Sequence, residues 1–254
     1  MTNAVGTLAW ARNTGGTLNV RERMAIMSQA ASTQIIDILR QTPLSGSNNY
    51  IHVDIDSIRV PDSLVSQQAI MHCETLSNAS LVNHCMRTYM WAAILAQADG
   101  ITYDEELLFV ASALHDLGLT DIHNGIDPDA HCYAVEGASA AAAFVQAQGW
   151  DDERRDRLQE TITMHLNVEV GLEHGAEAHL LHDGAALDVI GLRYHEIAPE
   201  TIARVVARHP RLDFKAVIAR AFQTQIAMRP GSRITFLHQT AQFGMRVKYA
   251  PFED

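Results

Sequence analysis

Four side chains of this sequence could converge on one cation: His84, the adjacent pair His115 and Asp116, and Asp188 about seventy residues further on. Divalent transition metals take neutral imidazoles and ionised carboxylates arriving from several directions, and packed helices can deliver them. Successive residues on a helix point roughly 100° apart, so a neighbouring His and Asp reach the same ion only where the helix tapers. Gly118 supplies such an end. A His-Asp dipeptide arises by chance in a chain with 13 histidines; what singles this one out is its flanks. The apolar residues 109–114 before it and Leu117-Gly118-Leu119 after it predict that both groups are buried. A buried, unpaired carboxylate is costly, and a bound cation relieves that cost.

Helices must carry these residues, and the hydrophobic spacing predicts them. The first covers about 20–40, where Met24, Met27, Ile35, Ile38 and Leu39 form a stripe. Residues 42–61 read mostly as loop, with Ile51, Val53 and Ile55 alternating as a short strand or extended arm would. Asp62 or Ser63 can cap a helix reaching about Leu76. Asn78 or Ser80 can cap the next, which carries His84, reaches about Ala98 and stops at Gly100. Thr102 with Glu105 makes a capping box for the helix that delivers His115 and Asp116. A polar loop over 121–129 precedes an alanine-rich helix over about 131–148, where small side chains permit close packing. Three more helices are predicted over 152–166, 176–193 and 213–228, the last ending before Pro230 and Gly231. With no long β alternation and no internal repeat, the expected class is all-α: a helical bundle over 59–254, including C-terminal helices, with an N-terminal helix and extended arm over 1–58.

Composition narrows the partners. The chain has 254 residues, 19 basic against 30 acidic, for a formal charge of −11, which argues against binding nucleic acid or an anionic membrane surface. No stretch approaches a membrane span, no secretory signal is evident, and three widely spaced cysteines suggest neither a disulfide framework nor a zinc knuckle, so a cytoplasmic location is expected. A small-molecule substrate fits best, and the methionine- and alanine-rich face of the first helix could either cover the bundle or join a homo-oligomer.

Ala113-Leu114-His115-Asp116-Leu117-Gly118 resembles the HD-domain superfamily of metal-dependent hydrolases, whose ligands follow the order H…HD…D. More narrowly, Asn83-His84-Cys85-Met86-Arg87-Thr88-Tyr89, with Val60-Pro61-Asp62 upstream and Leu187-Asp188-Val189-Ile190-Gly191 downstream, is similar to the cyanamide hydratase-like branch, over about residues 59–193. The resemblance implies an HD-domain helical bundle. It makes His84, His115, Asp116 and Asp188 the metal ligands, with the Asp-Val-Ile-Gly context favouring Asp188 over Asp183. It implies one divalent metal, zinc, with iron or manganese as alternatives. His165 matches a histidine that the branch carries at the end of a comparable helix, which places it in the pocket to orient substrate or move protons. Arg87, one turn after His84, shares its helix face and could orient an acidic group. Where the branch tends to read aromatic-Glu-Val-acid-Gly, this chain reads Tyr133-Ala134-Val135-Glu136-Gly137; Glu136 is kept and the earlier acid is absent, which puts cyanamide itself in doubt as substrate.

The implied chemistry is addition of metal-activated water to a small nitrile-like substrate, giving a urea or amide, with His165, Asp116, Arg87 and Glu136 as the catalytic set. An HD-domain phosphohydrolase is the alternative, disfavoured by the acidic balance and by the scarcity of lysine, only Lys215 and Lys248 being present. A di-iron oxygenase would need two further histidines, for which His131 and His165 are candidates. A non-catalytic binding module is the remaining reading, against which the intact ligand set argues.

Overall fold

The computed structural model describes residues 4–41, 50–125, 127 and 129–254. It is 68% helical, with 12 helices and no strand among the described residues, so the chain is all-α as expected. The predicted stripe at Ile35, Ile38 and Leu39, and residues 42–49 of the predicted loop, lie outside the described side chains and residues.

The axis of the molecule is the helix α4 (Ala79–Asp99), buried from Ser80 to Ala96 on almost every side. A helix apolar all round must be surrounded, and five others do this. These are α3 (Leu64–Leu76), α5 (Glu105–Leu114), α8 (Ala176–Ile190), α9 (Pro199–Arg208) and α10 (Phe214–Met228), with α8 making the longest contact. α6 (Tyr133–Ala147) and α7 (Asp152–Met164) pack on each other behind α5. Gly184 lets α8 approach α4, since a Cβ there would stand 2.4 Å from the Thr88 carbonyl oxygen.

Local signals explain most helix boundaries. Ser63 accepts from the Ser66 amide and Asn78 from the Leu81 amide, as N-caps do, and Gly100 closes α4 in the left-handed conformation at φ 69°. The cap of α5 differs from expectation. Asp104, not Thr102, accepts from the Leu107 amide, while its own amide donates to Glu177 of α8 at 2.7 Å. A contact remote in sequence thereby fixes where α5 begins. α7 and α8 end at Met164 and Ile190, earlier than the periodicity suggests, with His165 and a left-handed Gly191 as their C-caps.

Four helices were not read from the sequence: α1 (Leu8–Thr14), α9, α11 (Arg233–Thr240) and α12 (Phe243–Lys248), of 7, 10, 8 and 6 residues. α1, α11 and α12 hold too few turns for a clear stripe and are stabilised by tertiary packing, whereas α9 is amphipathic and buries Thr201, Ile202 and Val205 on one face. α2 (Val20–Gln41) follows α1, with Met24 and Met27 exposed. The arm after it is extended: Ile51 forms an isolated parallel bridge with Ile197, and Val53 and Ile55 are buried in the main core with Trp91, Phe109 and Leu187. A second core gathers Trp10, Tyr133, Phe214, Phe222 and Leu237. The histidine–aspartate cluster is flanked by both.

Candidate metal centre

The end of α5 shows how a neighbouring His and Asp can face one point. His115 keeps the right-handed helical conformation, whereas Asp116 leaves it, at φ −102° and ψ 15°. This bridge-region backbone frees the Asp116 carboxylate from the helical spacing and returns it beside its neighbour. Gly118 is needed for a different reason than ending the helix: a Cβ there would lie 2.0 Å from the Tyr133 carbonyl oxygen, so only glycine lets this turn press on α6.

His84, His115 and Asp116, all buried, place one potential ligand atom each within 4.8 Å of one another. The Nε2 atoms of His84 and His115 are 3.2 Å apart, and Asp116 Oδ2 lies 3.4 Å from the first and 3.5 Å from the second. Both imidazoles are anchored through the opposite nitrogen. His115 Nδ1 donates to the Ser112 carbonyl at 2.8 Å, and His84 Nδ1 to Asp188 Oδ2 at 2.8 Å. With both Nδ1 atoms protonated, two Nε2 lone pairs face each other and a carboxylate. Such an arrangement calls for a cation between them, and the donor set fits a divalent metal. A proton can take the same place: burial works against a charged His84, but Asp116 and Asp188 override it and raise its pKa. Metal and proton therefore compete for this position.

Asp188 does not stand among these donors. Beyond His84 Nδ1, its carboxylate accepts from Arg87 Nε at 2.8 Å, Arg87 Nη2 at 2.9 Å and Trp91 Nε1 at 2.9 Å. Arg211 Nη1 approaches at 3.3 Å. Asp188, expected as a direct ligand, here sits behind His84, where it fixes the ring's tautomer and has its lone pairs filled. Burial opposes its ionisation, but Arg87 and His84 hold it well below the usual carboxylate range. Asp183 does not replace it, being turned towards Arg193, His179 and His182. Arg87 is likewise removed from direct chemistry, since it is fully buried and its remaining Nη1 donates to the His209 and Pro210 carbonyls.

Glu136 stands apart from the cluster. Its carboxylate accepts from the Gly125 and Asp127 amides at 3.0 and 2.9 Å and pairs with Arg229, so it ties down the loop after the His-Asp turn and does not line the cavity. His131 is exposed and takes no part in the cluster.

His165 does reach the cluster. Its Nδ1 donates to the Ile162 carbonyl at 2.6 Å, which turns Nε2 towards Asp116 Oδ1 at 3.8 Å and the Tyr133 hydroxyl at 3.5 Å. Burial, followed by His115, lowers its pKa to about 3. Asp116 is pulled the other way: burial raises its pKa, but His115 and His84 outweigh this and keep it ionised.

Residues not singled out in the sequence complete the site. Phe214 stacks on the His84 ring, with centroids 4.5 Å apart, and His182 Nδ1 donates to the His165 carbonyl at 3.1 Å. Trp91 could have been found, because His84, Arg87 and Trp91 lie on one helix face by spacing alone. A cavity of about 80 Å³ opens over the donors. Among the described residues, no helix is long and apolar enough to cross a membrane. The chain matches no protein-family model and no curated protein.

Proposed function

We propose that this protein is a metal-dependent hydratase or hydrolase of the HD-domain type, adding water to a nitrile-like or related polar group. One observation carries the reading: two imidazoles with opposed Nε2 atoms 3.2 Å apart, each locked in its tautomer from behind, beside an ionised aspartate at the foot of a cavity. Two imidazoles and a carboxylate suit zinc, with iron and manganese as alternatives. When bound, such an ion supplies Lewis acidity and lowers the pKa of water at the site towards about 7.

The chain's own groups account for the rest. Asp116 stays anionic and orients a donor at the floor. His165 remains neutral, because burial disfavours its charged form, and offers Nε2 as an acceptor. With its pKa at about 3, far below neutrality, His165 acts as a hydrogen-bond acceptor that orients the attacking water and does not itself hold the proton. The Tyr133 hydroxyl, its pKa raised well above the ordinary value by burial, remains protonated and lies 3.5 Å from His165 Nε2, where it helps orient the ring.

The test is metal analysis by plasma mass spectrometry of protein purified without chelator, alongside hydration of cyanamide and a set of nitriles. About one equivalent of metal is expected in the wild type and in Asp183→Asn, and little in Asp116→Ala. His165→Ala should keep the metal and lose hydration. Absence of metal from the wild type would overturn the proposal, and loss of metal from His165→Ala would make His165 a ligand instead.

A further inference from the structure

The turn that presents His165 is held from behind by a buried cation. The last carbonyls of a helix have no partner within it, and at the end of α7 three of them find one outside the helical ladder. Ile162 accepts from His165 Nδ1 at 2.6 Å, Thr163 from Arg233 Nη2 at 2.9 Å and Met164 from the Asn167 amide at 2.8 Å. Arg233 Nη1 donates to Asn167 Oδ1 at 2.8 Å, so one guanidinium grips the chain on both sides of His165. Asn167 Nδ2 donates in turn to the Val5 carbonyl at 2.8 Å, which fixes the orientation of that amide. Local preference does not put an arginine here. Arg233 opens α11, where the helix dipole disfavours a cation. It is 1% exposed, and among the described residues no carboxylate pairs with it and its Nε finds no acceptor. Its charge meets two oxygens, the negative end of the α7 dipole and the Trp10 ring, whose centroid is 5.0 Å from the guanidinium carbon.

A buried cation without a counter-charge costs more than an apolar side chain of similar size, and a divalent ion at the donors adds repulsion to that cost. Closing a helix end does not require it. What methionine lacks is a planar fork that reaches two acceptors at once. We infer that Arg233 is a positioning residue of the site: its fork fixes the terminal turn of α7, and with it the ring of His165, so that Nε2 faces Asp116. This rests on the reading of His165 as the group that orients water, and adds the residue that sets its aim. Through Val5 and Trp10, the segment before α2 belongs to the same support.

The experiment is proton–nitrogen correlation spectroscopy of the histidine side chains in the isotope-labelled full chain, with and without added zinc. His165→Gln identifies the His165 signals by their loss. In the wild type His165 should show a single neutral tautomer with its proton on Nδ1, as the bond to the Ile162 carbonyl requires. Arg233→Met should replace that signature by an average of the two tautomers, while zinc uptake stays at the wild-type level, because none of the three donors lies on α7. Arg233→Lys keeps the charge without the planar fork and should show the same averaging. Asn167→Ala frees one arm of the fork and carries the test where Arg233→Met does not fold. An unchanged His165 signature in folded Arg233→Met, or in Asn167→Ala where the former is unfolded, would make Arg233 purely structural and overturn the inference. An unchanged signature in Arg233→Lys would overturn the role of the fork. A wild-type protein that takes up no zinc would overturn the metal reading, and the signature recorded without the ion still decides whether Arg233 aims His165.

Discussion

The behaviour of this site turns on which nitrogen of each histidine is committed. Asp188 holds the Nδ1–H of His84 and is itself held by Arg87, Trp91 and Arg211, a chain of charges entirely out of water. Removing one partner of a buried pair leaves the other uncompensated, which costs more than the pair contributes. Arg87→Met should therefore destabilise the fold by about 3–5 kcal/mol, read from urea denaturation. It should also weaken metal binding about 10–100-fold, although Arg87 touches none of the donors. Full metal affinity in a folded Arg87→Met protein would show that Asp188 does not need its clamp.

At the scale of elements, the site depends on how closely helices approach. α4 brings His84 and α8 brings Asp188, and Gly184 sits at their crossing. Alanine is the better helix former by up to about 1 kcal/mol, so Gly184→Ala would stabilise an isolated α8. In the protein the added methyl meets the Thr88 carbonyl at 2.4 Å and the Ala92 amide nitrogen at 3.0 Å, and backbone cannot step aside. The clash wins: a net loss of about 1–3 kcal/mol is expected in denaturation, with lower metal affinity from the displaced His84–Asp188 contact. The segment after α12 acts similarly. Phe252 packs on Tyr194 at 4.9 Å between ring centroids and lies under the Arg211 guanidinium at 4.5 Å. Phe252→Ala should cost about 3–5 kcal/mol, measured as a lowered urea midpoint.

Over the whole molecule, acid should loosen the fold through groups held neutral inside it. His209, whose carbonyl accepts from Arg87, is lowered from 6.5 to about 4, first by burial and then by Arg87 and Arg208. In the unfolded chain it titrates near the model value of 6.5, so between about 6.5 and 4 the unfolded state binds more protons than the folded one. Its contribution is fully present above that window and is lost as the pH falls through it. His209→Gln should flatten this part of the stability profile, measured by denaturant titration from pH 7 to 4 on metal-free protein; an unchanged slope would exclude His209 as a source of acid sensitivity.

The amino-acid sequence by itself determined much of this. Ser63, Asn78 and Gly100 place helix ends through local hydrogen bonds and backbone conformation, and the apolar flanks of His115 and Asp116 are enough to bury them. Spacing also assigns His84 and Arg87 to one helix face. What only tertiary structure decided is the role of each acid. Asp188 could equally be a ligand or the anchor of one, because helical spacing locates a side chain on a face without saying which ring nitrogen it meets across 104 residues of chain. Glu136 and the Asp104 cap were misplaced for the same reason: their partners, Arg229 and Glu177, arrive from helices 93 and 73 residues away. Short-range propensity is encoded in neighbours, whereas the pairing of buried charges is settled when helices pack and each charge must find its complement out of water.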